Sequence, residues 1–398
     1  MAKAKTTIKK ITQNEWECTK IFKTGEIEKR IVKDPIDIWS IGNTGVRNPW
    51  RIPGGYKVYV ESNQVGKIRT AQEQKLFKEK LLLAGEIGGD PKKDADASIT
   101  RKYRLMFNKY GFAYPEVLKK DGFSQKEIGK IDDITPAGWA FYHANTIQAQ
   151  QECFLRGLVV QMEPLGERET YSPLRWVLKI MFDLFERTGD YKINYIEFAV
   201  CVQTSSPKYE LETVVNKILE IRGRRKKCIN KKKFDRDLIH NAWKHYFKEE
   251  KNFHEYADMN LRYLSASGIL KRSGRGITVM PEYKSLAYEL TKNVISDATL
   301  KERYKLLCQG APLPTDNTEI AKKVLEDLIN ELEMYNIKYE IPDITLDNSK
   351  NINIVRSNLK QNIDHYKEEK YAQNQRECWY EIYAVSYTHL RAHETPEH

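Results

Sequence analysis

At 398 residues, with 40% hydrophobic and 30% charged residues and 23 Tyr and 13 Phe, the chain is too long for one ordinary domain and too rich in core formers for a disordered or fibrous polypeptide. A formal charge of +11 and a pI near 9.0 point toward a polyanionic partner such as nucleic acid without establishing one, since many basic proteins are merely soluble and basic. Six scattered cysteines (Cys18, Cys153, Cys201, Cys228, Cys308, Cys378) with no CxxC pair argue against zinc; the basic start MAKAKTTIKK has no apolar signal core and no run reaches transmembrane length, so the chain reads as cytoplasmic with reduced thiols.

In chain order, residues 1 to about 60 carry turn and strand signals (DPIDIWSIGNTGVRNPWRIPGGYKVYV), which predict an irregular, partly extended opening. Ala71 to Ile87 reads as a helix on the spacing of Leu76, Leu81, Leu82 and Leu83, ended by GGDPKK. Two later segments, Ser98 to Asn145 and Asp258 to Leu290, share one order: helix, Gly (Gly111, Gly268), strand, turn, "IT" strand, Pro, helix. That order suits a winged helix-turn-helix whose hairpin, ILKRSGRGITVMP in the second segment, is the wing; two unrelated helix-hairpin units are the plainer reading. Between them, Ser172-Pro173 caps an amphipathic helix through Phe185, and Ser206-Pro207 marks the start of another carrying Leu211, Val214, Val215, Ile218 and Leu219. Beyond Pro314 the pattern is charged helix.

The predicted class is therefore mainly α with small β-hairpins (α+β): tandem winged-helix-like units at 1–170 and 171–313, then a helical linker at 314–384. Residues 385–398 break the composition, with His389, His393 and His398 close together. One frame of a transposase-end sequencing adapter encodes VSYTHLRAHET, so this tail is expected to be adapter-derived and the reading frame truncated there.

The strongest basic run, RGRRKKCINKKKFDR, supplies Arg222, Arg224, Arg225, Lys226, Lys227, Lys231, Lys232 and Lys233 as candidate phosphate contacts; a solvated loop at a helix end is its alternative. Lys271, Arg272 and Arg275 sit on the expected wing, and Arg101, Lys102 and Arg104 lie among aromatics on a helix. In TGVRNPWR, Arg47, Asn48 and Arg51 are of the types that read guanine and adenine edges. No nuclease signature stands out: Pro342-Asp343 with Glu368 and Lys370 matches the letters PD…ExK, but HYKEEKYAQ reads as charged helix rather than a strand presenting carboxylates. No catalytic or metal-binding residue is assigned.

Several stretches in order, namely IWSIGNTGVRNPWR, YGFAYPE with DDITPAGWAF, SPLRWVLKIMFDLFERTG with KILEIRGRR, RYLSASGILKRSGRGITVMPE and QGAPLP, resemble the AlwI and BstNBI group of type IIS restriction and nicking endonucleases. The resemblance implies recognition of a short asymmetric site in double-stranded DNA, with cleavage a few base pairs away by a C-terminal Mg²⁺-dependent nuclease domain that this chain lacks. On that reading the fragment binds DNA, needs no cofactor and does not cut. A second subunit for double-strand cleavage and a cognate DNA methyltransferase are the further partners implied, in a prokaryotic cytoplasm and with no membrane role. A winged-helix transcription regulator without enzymatic activity and a basic protein-interaction scaffold are the competing readings.

Overall fold

The computed structural model describes residues 5–22, 24–88, 97–165, 169–342 and 344–392. The chain is mainly helical with small antiparallel sheets. It divides into two units, residues 1–280 with 287–313, and residues 281–286 with 314–398.

The opening is more regular than its turn signals suggest. Strands β1 (Lys5–Lys10), β2 (Glu15–Ile21) and β3 (Ile27–Lys33) form an antiparallel meander in the order β1-β2-β3. Cys18 pairs with Ile8 on one side and Arg30 on the other, and Cys18 and Val32 are buried on the inner face. After a loop, Ile52–Glu61 is a helix, α1, where the sequence pointed to extended chain. Tertiary packing overrides the Gly-Gly pair and the β-branched residues here. Ile52, Tyr56 and Tyr59 are fully or almost fully buried, and a Cβ on Gly55 would lie 2.3 Å from the Tyr103 ring, so the helix is held where only glycine lets it approach.

Helices α2 (Ala71–Leu83), α3 (Ser98–Lys109), α4 (Pro136–Tyr142) and α5 (Ile147–Leu158) pack with α1 around an aromatic core. Phe112 and Phe141 stack with ring centroids 3.9 Å apart, and the Tyr56 hydroxyl donates to the Phe112 carbonyl at 2.7 Å. Each such ring removed from water contributes roughly 2–3 kcal/mol. The α2 helix buries Gln74, Phe77, Lys78 and Leu81; Leu83, read as part of its apolar face, is 89% exposed. The "IT" strand of the first repeated segment reduces to a single bridge, Ala113↔Ile134, with one-turn helices at Lys119–Asp121 and Gln125–Glu127 between its ends, so no wing hairpin forms here. Thr146 caps α5 by accepting from the Ala149 amide, which separates FYHAN from TIQAQQE.

Farther along, β4 (Glu163–Pro164) and β5 (Thr170–Tyr171) pair with β8 (Ile295–Ser296). Helix α6 (Pro173–Thr188) starts as expected, the Ser172 hydroxyl accepting from the Arg175 amide, and ends on Gly189 at φ +72°. A short α7 (Tyr195–Glu197) runs into a π-turn (Phe198–Val202) whose side chains are all buried. The next helix, α8 (Leu211–Lys227), begins five residues after Ser206, because Ser206 closes a turn with Tyr209 rather than capping a helix. Helix α9 (Lys231–Trp243) had no counterpart in the sequence reading: its predominantly charged first two turns show little apolar periodicity.

Helix α10 (Glu250–Ser265) ends before Gly268 (φ +74°) and feeds the hairpin β6 (Leu270–Ser273) and β7 (Gly276–Val279), after which α11 (Lys284–Leu290) and α12 (Leu300–Gln309) follow. Ile193 adds a further antiparallel bridge to Ile277, with both amide–carbonyl bonds at 2.9 Å. The N-terminal loop folds over α10: Asn260 accepts from the Ile41 amide and donates to the Trp39 carbonyl, while Tyr263 donates to the Val46 carbonyl.

In the second unit, α13 (Thr318–Met334) and α14 (Ser349–Ala392) form a helical hairpin closed by Leu325, Leu328 and Leu332 against Ile352, Val355, Leu359 and Ile363. Glu282, 1% exposed, is held by Lys360 at 3.3 Å and Lys367 at 2.9 Å. Residues 393–398 of the expected tail lie outside the described residues.

Candidate nucleic-acid interface

Three arginines from two separate stretches of sequence, Arg47 from the N-terminal loop and Arg272 and Arg275 from the β6–β7 hairpin, lie near Tyr195. Asn194 caps α7, its side chain accepting from the Ile196 and Glu197 amides while Glu197 reaches back to the Asn194 amide, and this box fixes the direction of the tyrosine between them. The Tyr195 hydroxyl donates to the His254 carbonyl at 3.2 Å and lies 3.0 Å from His254 Nδ1. The Arg275 guanidinium stacks 4.3 Å from the Tyr195 ring centroid. Arg272 lies 3.8 Å from Asp258 and donates to the Arg275 carbonyl, and Arg47 pairs with Glu255 at 3.0 Å. Burial pushes the Tyr195 hydroxyl up to about 12, against the downward pull of Arg275, Arg272 and Arg47. The three cations therefore share one electrostatic neighbourhood. Burial likewise holds His254 below its ordinary value, with Arg275 adding to the effect and Glu250 opposing it.

The basic run is two helices joined at Cys228–Asn230, not a loop, and its members have different roles. Arg222 makes a forked pair with Glu197 (Nε–Oε1 2.8 Å, Nη2–Oε2 3.0 Å) and a bond to the Lys192 carbonyl, so it braces α8 against the α7 cap. Arg225 forks onto Asp235 at 2.7 and 2.9 Å and ties α8 to α9. Arg224 lies 3.3 Å from Glu220 and over the Phe234 ring. Lys226, Lys227, Lys231, Lys232 and Lys233 are exposed, and no ion pair among the described residues engages their side chains. Three of these five fill the first turn of α9, which holds no acidic residue. Positive charge there opposes the helix dipole at a cost of about 0.3–1 kcal/mol per residue, and an anion docked there would reverse the sign.

The remaining candidates are mostly occupied. Asn48 caps the turn Pro49–Arg51 by accepting from the Trp50 amide, and Arg51 donates to the Glu86 carbonyl at 3.0 Å. Arg104 is bound to the buried Asp132 at 2.7 Å, Arg101 donates to Gln74 at 2.8 Å, and the Lys102 chain covers Gly45. Lys271 is exposed on β6. Sequence reasoning passed over Tyr195 and His254; the N-x-x-E box at Asn194–Glu197 was the available signal, since it marks a helix start that fixes Tyr195.

Among the described residues no group of three or more His, Cys, Asp or Glu could hold a metal ion, and Asp343 of the PD…ExK letters lies outside the described residues. Glu368 and Lys370 are exposed on α14. The cysteines whose side chains are described, Cys18, Cys153, Cys201, Cys228 and Cys308, are free. Among the described residues no helix is long and apolar enough to cross a membrane.

The tyrosine–arginine centre and the lysine-lined start of α9 are the two concentrations of positive charge that the structure gives the candidate residues. The AlwI restriction endonuclease family model matches residues 108–393, and the chain belongs to that family. No curated protein sequence matches it significantly. Among solved structures it is similar to a chain in the "crystal structure of pyrene- and phenanthrene-modified DNA in complex with the BpuJ1 endonuclease binding domain", at 12% identity and a TM-score of 0.40, over 63% of this chain and 89% of that chain.

Proposed function

We propose that this chain is the DNA-recognition part of a type IIS restriction endonuclease, binding a short asymmetric double-stranded site. Family membership supports the class of activity, and it disfavours the regulator without enzymatic activity. The observation that carries the binding mode is the set of exposed, unpaired lysines at the start of α9: a helix start and three cations would hold one phosphate together. On this reading α6, the Ile193 bridge, α10 and the β6–β7 hairpin act as a winged helix, with Lys271, Arg272 and Arg275 on the wing and Arg47 beside it. Residues 1–170 and 171–313 are then successive recognition segments, and 314–384 the connector.

Cleavage in this reading belongs to a Mg²⁺-dependent nuclease domain, and among the described residues no group of three or more His, Cys, Asp or Glu could hold the ion. A second subunit and a cognate methyltransferase complete the proposed system.

Two assays test it. Fluorescence anisotropy with labelled duplex should show binding that weakens steeply between low and moderate salt. Plasmid DNA with Mg²⁺ should stay uncut by this chain and be cut by a longer product of the same gene. Salt-insensitive or absent binding would sink the DNA reading, and cleavage by this chain alone would place the nuclease within it.

A further inference from the structure

His254 is a half-buried titratable group at the Tyr195 centre that neither the hairpin cations nor the α9 lysines account for. It lies on α10 with its ring almost parallel to that of Tyr195, the two planes 8° apart. The Tyr195 hydroxyl reaches both His254 Nδ1, at 3.0 Å, and the His254 backbone carbonyl, at 3.2 Å. This geometry satisfies either protonation state. With the imidazole neutral and its ring proton on Nε2, Nδ1 accepts from the hydroxyl. With the imidazole charged, Nδ1 donates to the hydroxyl oxygen while the hydroxyl turns its hydrogen to the carbonyl. A proton can therefore arrive without orphaning a polar group at this contact.

The charges around His254 set the sign of what an anion would do. Burial holds the imidazole below its ordinary value, Glu250 one turn earlier on α10 opposes that, and Arg275 adds to it. Glu250 is shared with His240 of α9, 3.2 Å away. Arg47 and Arg272 already face Glu255 and Asp258 of α10. Arg275 is exposed on the β6–β7 hairpin, stacks on Tyr195 and has no carboxylate partner among the described residues. A phosphate docked on Arg275 would offset the charge that opposes protonation of His254 and add one that favours it.

We propose that His254 is the proton-linked member of this binding group: a DNA phosphate docked on Arg275 draws a proton from solvent onto the His254 imidazole, so duplex is held more tightly in mildly acidic than in mildly alkaline solution. This rests on the DNA-recognition reading and deepens it. Because the complex binds more protons than the free chain, affinity rises as pH falls, by at most about tenfold per pH unit for one proton. The rise is confined to the interval between the free and the complexed values of His254 and levels off on either side.

The test is fluorescence anisotropy with labelled duplex at constant ionic strength from about pH 8 to about pH 5.5, with circular dichroism at each step to follow the fold. Affinity should rise about threefold to tenfold toward the acid end. His254→Asn should lose the rise, whatever its affinity at the alkaline end, and His240→Gln should keep it. A second measurement needs no variant. Calorimetric titration with the same duplex near pH 6.5, in two buffers of different ionisation enthalpy, should report net uptake of up to about one proton. Binding that is indifferent to pH and takes up no proton, a rise that persists in His254→Asn, or one that His240→Gln abolishes would overturn the proposal and leave the DNA reading standing. Absence of duplex binding at every pH would remove both.

Discussion

The cations of one basic run differ in what they cost to remove. Arg222 answers a carboxylate that is 1% exposed, so Arg222→Ala should lower the unfolding free energy in urea by roughly 3–5 kcal/mol, because Glu197 is left buried without its forked partner. Replacing Lys231, Lys232 and Lys233 together by alanine should do the opposite to stability. The chain should gain a few tenths of a kcal/mol or more as the clash with the helix dipole goes, while duplex affinity falls. A triple variant that loses stability and keeps its affinity would count against the interface. His254 adds a pH signature. Its folded value lies below the ordinary 6.5, so as pH falls through 6.5 the unfolded chain takes up a proton that the fold refuses, and stability declines until the folded value is passed. Tyr195, Glu250 and Arg275 set that environment, and His254→Asn should flatten urea midpoints measured across this window.

Among the elements, the hairpin after α10 was the most legible in sequence, since Gly268, the SGRG tip and Pro281 each impose a local geometry that the structure adopts. Other elements were hidden because long-range packing decides them. The α1 helix exists through Tyr103 and Glu86 packing against its glycines, and α9 through Arg225–Asp235 and Ile239 rather than an apolar stripe. The same limit applied to the candidate site. Residue types in the basic run were readable, but which of them are tied up by Glu197 and Asp235 depends on partners 25 and 10 residues away. Gly276 tests how the hairpin is held. A Cβ there would come 2.2 Å from the Ile193 carbonyl, so Gly276→Ala should unseat the Ile193–Ile277 bridge. Amide exchange at Ile277 and Ile193 should accelerate while the α13–α14 hairpin stays protected; unchanged exchange would show that the bridge tolerates the methyl group.

At the scale of the whole molecule, the proposed DNA binding should respond to salt according to how many phosphates its cations neutralise. The logarithm of duplex affinity should fall linearly with the logarithm of salt concentration, and each exposed lysine removed from the α8–α9 junction should make that slope shallower by about 1. Removal of Arg222 or Arg225 should leave the slope nearly unchanged, because those charges already face carboxylates. The N-terminal meander carries a different whole-molecule consequence. Arg30 reaches the carbonyls of Trp243 and Tyr246 and stacks over the Trp243 ring, a closure spanning 213 residues between Arg30 and Trp243. During synthesis at about 5–20 residues per second, the first strands to leave the ribosome wait roughly 10–40 s for the helices they cover, with Ile27 and Ile31 exposed and both sheet edges open.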